Sequence, residues 1–177
     1  MANMKYVQSV AERLNDIFMS RYSSNNSLNL DILELVEKLG GSVYEVGYLE
    51  ANGNSMVIND SDDSFKIYVS AMDGKNRQKF TIAHEIGHYF IHYKDGNPED
   101  RETVYRRTNH AYGGFTEYEA NVFAASLLMP ENKFKKSFEI RGGDLDLVAN
   151  DFGVSIAAAE VRARTLGLLD NNGLQKN

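Results

Sequence analysis

The sequence predicts an α+β fold in which a short three-stranded sheet packs on a mostly helical core. Apolar residues recur at helical spacing in the first forty residues, strand-like runs follow, and helical spacing returns from about residue 80. The 177 residues, 42% hydrophobic and 25% charged, are enough for one sizeable core. We therefore predict a single domain, 1–177, with N-terminal helices (1–41), a sheet and site helices (42–130) and a C-terminal helical part (131–169).

Composition and charge limit the classes of protein to which the chain can belong. Because there is no cysteine, disulfides, thiolate zinc sites and cysteine nucleophiles are excluded, and any metal must be held by histidines and carboxylates. No leader-like segment and no apolar stretch of about eighteen residues is present, which predicts a cytoplasmic location. The net charge of −6 argues against a protein whose main task is to bind nucleic-acid phosphates.

Two helices are predicted before the sheet. Apolar residues at helical spacing from Val7 to Phe18 indicate an amphipathic helix that ends near Tyr22. A second helix is predicted from Asp31 to Leu39, with Gly40 and the following glycine as its stop. Both helices are interpreted as scaffold.

Three short strands are predicted next. The runs 42–46, 55–58 and 65–69 are rich in β-branched and aromatic residues and are separated by polar turns. We expect a small meander that supports the following helix. Alternatively, its exposed edge strand binds an extended peptide by main-chain pairing, although the sequence leaves open which strand is the edge.

The stretch from Phe80 to His92, FTIAHEIGHYFIH, contains the motif His84-Glu85-x-x-His88. Side chains four residues apart share one helix face, about 6 Å apart along the axis, so both imidazoles can reach one ion at about 2.0–2.1 Å. The rest of the stretch is largely apolar, and polar groups buried in such a helix need partners. The motif predicts a zinc site; the alternative is two histidines that pack or hydrogen-bond locally.

Gly87 and His92 lie in the same stretch, and the sequence predicts a packing role for one and a position for the other. Gly87 costs about 1 kcal/mol of helix stability relative to alanine, so we expect another backbone to approach it closely. On a straight helix His92 lies about 6 Å beyond His88, too far to share one ion. We therefore predict that His92 lies in an outer shell of the site or on the surface, and that the third ligand comes from elsewhere.

A helix is predicted from Thr116 to Pro130. Ser and Thr are typical helix starts and proline is a typical stop. Small residues at Ala120 and Ala124 allow close packing, and they would fit against the helix surface at Gly87, which has no side chain. The two helices are therefore expected to touch.

Glu119 is the predicted third ligand, because it would complete a His-His-Glu site with one open position. Its alternative role is a capping box with Thr116. Glu117 is the alternative ligand and is otherwise a first-turn acid favoured by the helix dipole. Asn121 is expected to point to another side of the helix. The predicted cofactor is one Zn²⁺ per chain, with Mn²⁺ as the alternative ion.

The segment Arg77–His88, followed by EANVFAASLLMP at Glu119–Pro130, resembles the ImmA/IrrE family of small zinc metallopeptidases. The similarity extends over about residues 42–169. It implies a compact zincin-like fold of the gluzincin type, with zinc held by His84, His88 and Glu119. It also implies a protein substrate, since family members typically cleave a helix-turn-helix repressor of a phage, mobile element or stress response.

The chemistry of such a site assigns a role to Glu85. Zinc lowers the pKa of a bound water toward about 7 and polarises the scissile carbonyl. Glu85, which is not a ligand, would act as general base and then protonate the leaving amine. The long charged loop Lys94–Phe115 is a candidate for substrate contact. Within it, His110 and Tyr112 are candidate oxyanion donors; the alternative is that both are surface residues.

The C-terminal part suggests a rival function. The segments 144–152 and 155–166, joined at Gly153, resemble a helix-turn-helix DNA reader. The second segment is poor in the side chains that read bases, and Arg162 and Arg164 are predicted to be solvated. A DNA-binding regulator is therefore one alternative function. A zinc-binding toxin or sensor without turnover is another.

Overall fold

The described chain consists of helices around a small sheet, as the sequence predicts. The computed structural model describes residues 3–23, 27–47, 56–59, 62–94 and 114–170, and every structural statement below concerns these residues. The helices are α1 (Met4–Tyr22), α2 (Ile32–Lys38), α3 (Lys75–Gly87), α4 (Phe115–Leu128), α5 (Glu131–Ile140), α6 (Leu145–Phe152) and α7 (Ile156–Thr165). The strands are β1 (Gly41–Val46), β2 (Met56–Ile58) and β3 (Phe65–Ser70), and a π-helical segment, π1, covers His88–Lys94. The predicted α+β class is confirmed. None of the described helices is long and apolar enough to cross a membrane.

The sheet is not the predicted meander. Its order is β1-β3-β2, with β1 parallel to β3 and β2 antiparallel to β3. In a meander each strand pairs antiparallel with the next, whereas two parallel strands need a long connection between them. The chain between residues 46 and 65 supplies that connection and contributes β2 along its way. Consequently β3 is central, and β1 and β2 are the edges.

The buried core draws on all three parts of the chain. It includes Val7 of α1, Leu35 of α2, Ile67 of β3, Phe123 of α4 and Phe152 of α6. Along β3 every second residue is buried, as expected for a strand with one face on the core. The α4 helix packs against both α1 and α3 and therefore lies inside the fold.

Gly87 is where α3 and α4 come closest. A Cβ added at Gly87 would lie 3.0 Å from the Cβ of Phe123 and 3.2 Å from the Cα of Ala120. The predicted contact between these two helices is thus confirmed, and its reason is the absence of a side chain at Gly87. The contact places the end of α3 beside the first turns of α4.

The ends of the helices follow local sequence signals in one region and not in another. In the C-terminal part, Asp144 and Ser155 cap α6 and α7 through their side chains, and Gly153 ends α6 with a positive φ of 60°. By contrast, α3 follows Gly74 and α4 follows Gly114, neither with a side-chain cap. The alternative role of Glu119, a capping box with Thr116, is therefore not found.

Two cationic side chains hold the C-terminal helices to the rest of the fold. The Lys79 Nζ of α3 donates to the carbonyls of Phe152 and Gly153 at the end of α6, 2.9 and 3.2 Å away, and burial lowers the pKa of Lys79 to about 8. Arg162 of α7 is 3% exposed and donates to the carbonyl of Met129. The prediction that Arg162 is solvated is therefore wrong, because α7 turns this side chain into the core.

Candidate metal centre

Two imidazoles converge at the junction of α3 and π1. His84 lies in the last turn of α3 and His88 is the first residue of π1. Their Nε2 atoms are 3.0 Å apart, and each side chain is largely shielded from solvent. The structure thus brings the two motif histidines together on one helix face, as their spacing predicts.

Glu117 of α4 completes a triangle with these rings. Its Oε2 lies 3.2 Å from the Nε2 of His84, and its Oε1 lies 3.4 Å from the Nε2 of His88. Glu117 is therefore a carboxylate that faces both histidines.

The residues fit a tetrahedral divalent cation. Two ligand atoms bound at about 2.0–2.1 Å to a tetrahedral ion are separated by about 3.3–3.4 Å. The separations of 3.0, 3.2 and 3.4 Å in the triangle lie near this value. Among the described residues, His84, His88 and Glu117 form a group of possible metal ligands, and their ligand atoms all lie within 4.8 Å of one another. Two imidazoles and one carboxylate are also a donor set that suits zinc.

Asn121 orients one of the two histidines. Its Oδ1 lies 2.9 Å from the Nδ1 of His84. An amide oxygen only accepts, so Nδ1 of His84 carries the proton and its Nε2 presents a lone pair. Asn121 does point to a different side of the helix from Glu119, as expected, but this is the side of the two motif histidines, because Glu117 and Asn121 are four residues apart and share one face of α4.

Glu119 lies in a different place from Glu117. It is 3% exposed, and its Oε2 is 3.0 Å from the Nε2 of His92. The sequence predicts Glu119 as the third ligand, whereas the structure brings the alternative, Glu117, to the two histidines. Helix geometry is the reason, because residues two apart point to different sides of α4.

His92 lies in the outer shell of the site, which is one of the two positions that the sequence allows for it. The prediction assumes a straight α-helix, but the helix widens at His88 into π1. His92 then lies with its Nδ1 2.9 Å from the Nδ1 of His88, and it is no surface residue, because its side chain is 11% exposed. Burial lowers the pKa of His92, against the hydrogen bond to Glu119, which raises it.

The remaining candidates are Glu85, His110 and Tyr112. Glu85 directly follows His84 in α3 and is 6% exposed, so its carboxylate is held away from bulk water. A carboxylate so placed needs a partner, and a metal-bound water is one that can serve. His110 and Tyr112 lie outside the described residues, and both remain predictions.

The fold and the triangle of ligands define a small α+β zincin-like domain. The sequence comparison agrees with this class and makes it specific, because the model of the IrrE N-terminal-like domain, a peptidase family, matches residues 44–164. The chain belongs to this family, and the resemblance to the ImmA/IrrE metallopeptidases is confirmed.

Comparison with curated proteins and solved structures supports the fold but assigns no function. No curated protein matches the chain. Among solved structures, a Mycobacterium tuberculosis transcriptional regulator is similar, with a TM-score of 0.58 and 18% sequence identity. The similarity covers 98% of this chain and 54% of the regulator, so the chain spans about half the length of that protein.

Proposed function

We propose that the chain is a zinc-dependent metalloendopeptidase that hydrolyses a peptide bond in a protein substrate. The observation that supports this most directly is the triangle of His84, His88 and Glu117, whose ligand atoms lie 3.0–3.4 Å apart. Membership of a peptidase family supports the same activity. The proposal treats residues 1–177 as one catalytic domain, with the cytoplasm as its location.

Each side chain of the site has a separate task in this reaction. His84, His88 and Glu117 would hold the ion. When bound, zinc supplies an acidified water and a polarised carbonyl. Glu85 takes the proton of the attacking water and delivers it to the nitrogen of the leaving amine as the peptide bond breaks. No covalent bond to the protein is required.

The proposed substrate is a helix-turn-helix repressor. The resemblance to the ImmA/IrrE family supports this choice, and the fold is shared with a transcriptional regulator. A cleavable segment must be extended to reach a buried metal, and β1 and β2, the edge strands among the described residues, could pair with such a segment. His110 and Tyr112 are kept in the proposal as candidate oxyanion donors.

DNA binding by α6 and α7 is less well supported. The two helices and Gly153 do form a turn, but Arg162 is buried and Arg164 pairs with Glu160 at 2.7 Å. Neither side chain is therefore available to a base edge or a phosphate. A zinc-binding sensor without turnover would use the same ligands, and only an assay of cleavage separates it from a peptidase.

The first experiment measures zinc by elemental analysis in the wild type, Glu117→Ala and Glu119→Ala, purified after zinc is supplied. We expect one equivalent in the wild type and in Glu119→Ala, and none in Glu117→Ala, because only Glu117 faces both rings. Loss of zinc from Glu119→Ala, with zinc retained in Glu117→Ala, would identify Glu119 as the third ligand instead of Glu117. A wild type without zinc would defeat the metallopeptidase proposal.

The second experiment tests turnover with the helix-turn-helix repressor encoded nearest to the gene as substrate. Mass spectrometry of the products should show one or a few cleaved bonds with the wild type. Glu85→Gln should keep its zinc but lose about 10²- to 10⁴-fold in rate, the range typical of a general base. Zinc binding without cleavage of the repressor or of an unfolded protein substrate would favour a sensor.

A further inference from the structure

His88 has a hydrogen-bonded chain behind it that neither the ligand set nor the general base explains. The Nδ1 of His88 lies 2.9 Å from the Nδ1 of His92, and the Nε2 of His92 lies 3.0 Å from the Oε2 of Glu119. Glu119 is buried and the side chain of His92 is only 11% exposed. A polar side chain so shielded beside a ligand histidine, with a buried carboxylate behind it, calls for a reason, because burying polar groups costs free energy.

The chemistry of the chain fixes where its protons lie. An ionised carboxylate only accepts, so the Nε2 of His92 must donate to Glu119. In a neutral imidazole the other nitrogen then accepts, so the Nδ1 of His92 must receive a proton from the Nδ1 of His88. With its proton on Nδ1, His88 presents the lone pair of Nε2 to the triangle with His84 and Glu117.

The same assignment follows independently on the other side of the triangle. Asn121 fixes the proton of His84 on Nδ1, so the Nε2 of His84 also presents a lone pair. The two Nε2 atoms and the Glu117 carboxylate are then three acceptors, 3.0–3.4 Å apart, directed at one another. Three acceptors directed at one point are suited to a shared cation. The protons are thus arranged for metal binding by a separate partner for each histidine.

We propose that His92 and Glu119 are positioning residues for His88, which fix its proton on Nδ1 and so direct the lone pair of its Nε2 toward His84 and Glu117. This inference rests on the proposed function, because it describes how a ligand of that metal site is oriented. The chain lies in π1, and π-helical turns are rare and frequently occur at functional sites.

A second set of contacts holds π1 from the opposite side. Asp63, in the turn before β3, accepts a hydrogen bond from the hydroxyl of Tyr93 and one from Lys94, and its carbonyl accepts from the hydroxyl of Tyr89. Asp63 itself has a left-handed backbone, with φ of 57°. The π-helical segment is therefore fixed between Asp63 on one side and Glu119 on the other.

The test compares His92→Phe with His92→Asn. Phenylalanine keeps a ring of similar size but cannot hydrogen-bond, whereas asparagine is smaller and keeps an acceptor near the position of Nδ1. If His92 positions His88, His92→Phe should bind zinc about 10- to 100-fold more weakly than the wild type, and His92→Asn should lose less. Competition with a chromophoric chelator measures the affinities. If His92 only fills space, the order of the two variants reverses, and the inference falls.

A second readout does not depend on zinc. In the metal-free protein with ¹⁵N-labelled histidine, long-range ¹H–¹⁵N spectra report which nitrogen of each ring carries the proton. We expect His88 to be protonated on Nδ1 in the wild type and to lose that preference in His92→Phe, while His84, held by Asn121, keeps its own. An unchanged His88 in His92→Phe would overturn the inference.

The two proposals fail in distinguishable ways. A wild type that binds no zinc defeats the proposed function, and the spectra of the metal-free protein still decide whether His92 orients His88. Zinc binding that is equally tight in the wild type and His92→Phe leaves the metal site intact but removes the role of His92. Should His92→Phe fold poorly, as judged by its circular dichroism, Glu119→Leu removes the acceptor at the far end of the chain and should free the same tautomer.

Discussion

The corner between α6 and α7 and the junction between α3 and π1 both change the course of a helix, but for different reasons. At the corner, Asp144, Gly153 and Ser155 supply a cap, a left-handed residue and a second cap within twelve residues. At the junction Gly87 keeps a helical backbone, and the helix widens where distant side chains, Asp63 and Glu119, bond to it. The corner is thus determined locally and the junction by tertiary contacts.

The largest effect on stability should come from breaking the corner. A Cβ at Gly153 would lie 2.5 Å from the Oδ1 of Asn29, and the φ of 60° is unfavourable for a β-branched residue. We expect Gly153→Val to lower the free energy of unfolding by about 3 kcal/mol, from left-handed strain and overpacking together. Urea denaturation measures this loss.

Gly74→Ala is the matched control for that variant. Gly74 has nothing within 4 Å of an added Cβ, and its φ is an ordinary −63°. Its stability should change by less than about 1 kcal/mol. If Gly153→Val were as stable as Gly74→Ala, the corner would not depend on its glycine. Zinc affinity should be the same in both variants, because neither glycine contacts the metal centre.

The contrast between the two regions explains how much of the fold could be predicted. Helix spacing and stop signals predict α1, α2, α6 and α7 closely, because caps and glycines act within a few residues. Sequence patterns locate the strands but do not predict their order in the sheet, because strand pairing joins residues that are distant in sequence, such as Gly41 and Phe65. The α5 helix carries apolar residues at Phe134 and Phe138 that could have revealed it.

The candidate site likewise has one part that the local sequence determines and another that tertiary contacts determine. The spacing of His84 and His88 on one helix is a local property and predicted their convergence. The choice between Glu117 and Glu119 depends on how α4 is rotated against α3, which Gly87 and Ala120 determine by contact. The contact of His92 with Glu119 depends on the same packing of α4, because these two residues are distant in sequence. A third histidine at the same spacing of four is the one local clue.

The contact at Gly87 is the place where a change in packing should reach the metal centre. An added methyl would press on the Cβ of Phe123 and on the backbone of Ala120, which cannot move without shifting α4. The gain in helix propensity of about 1 kcal/mol offsets part of the cost of overpacking. We expect Gly87→Ala to lose about 1 kcal/mol of unfolding free energy and to bind zinc more weakly, because Glu117 moves away with α4.

Together, Gly87→Ala and Gly153→Val separate an effect on stability from an effect on metal binding. Gly87→Ala should lose less stability than Gly153→Val, yet only Gly87→Ala should lose zinc affinity. Chelator competition and urea denaturation on the same two samples provide the test. Equal zinc affinity in the two variants would mean that α4 can shift without carrying Glu117 out of reach.

The smallest expected effect concerns an ion pair that holds α5 to α6 in the C-terminal part. Arg141 binds Asp151 through two hydrogen bonds of 2.9 and 2.6 Å, and Ser137 donates to the same carboxylate. The hydrogen bond from Arg141, with that from Ser137, lowers the pKa of Asp151 below its ordinary value of 3.8. Since the folded pKa is the lower one, the pair stabilises the fold above pH 3.8, and that contribution disappears as the pH falls through the lowered pKa.

Asp151→Asn should therefore be less stable than the wild type by about 1 kcal/mol at pH 7, the size expected of a partly exposed charge pair. As the pH falls below 3.8 and the wild-type carboxyl becomes protonated, the difference between the two proteins should shrink. Urea denaturation at pH 7 and at a series of acidic pH values measures the difference. A difference that persists undiminished in acid would assign the effect to the hydrogen bond with Ser137 rather than to the charge.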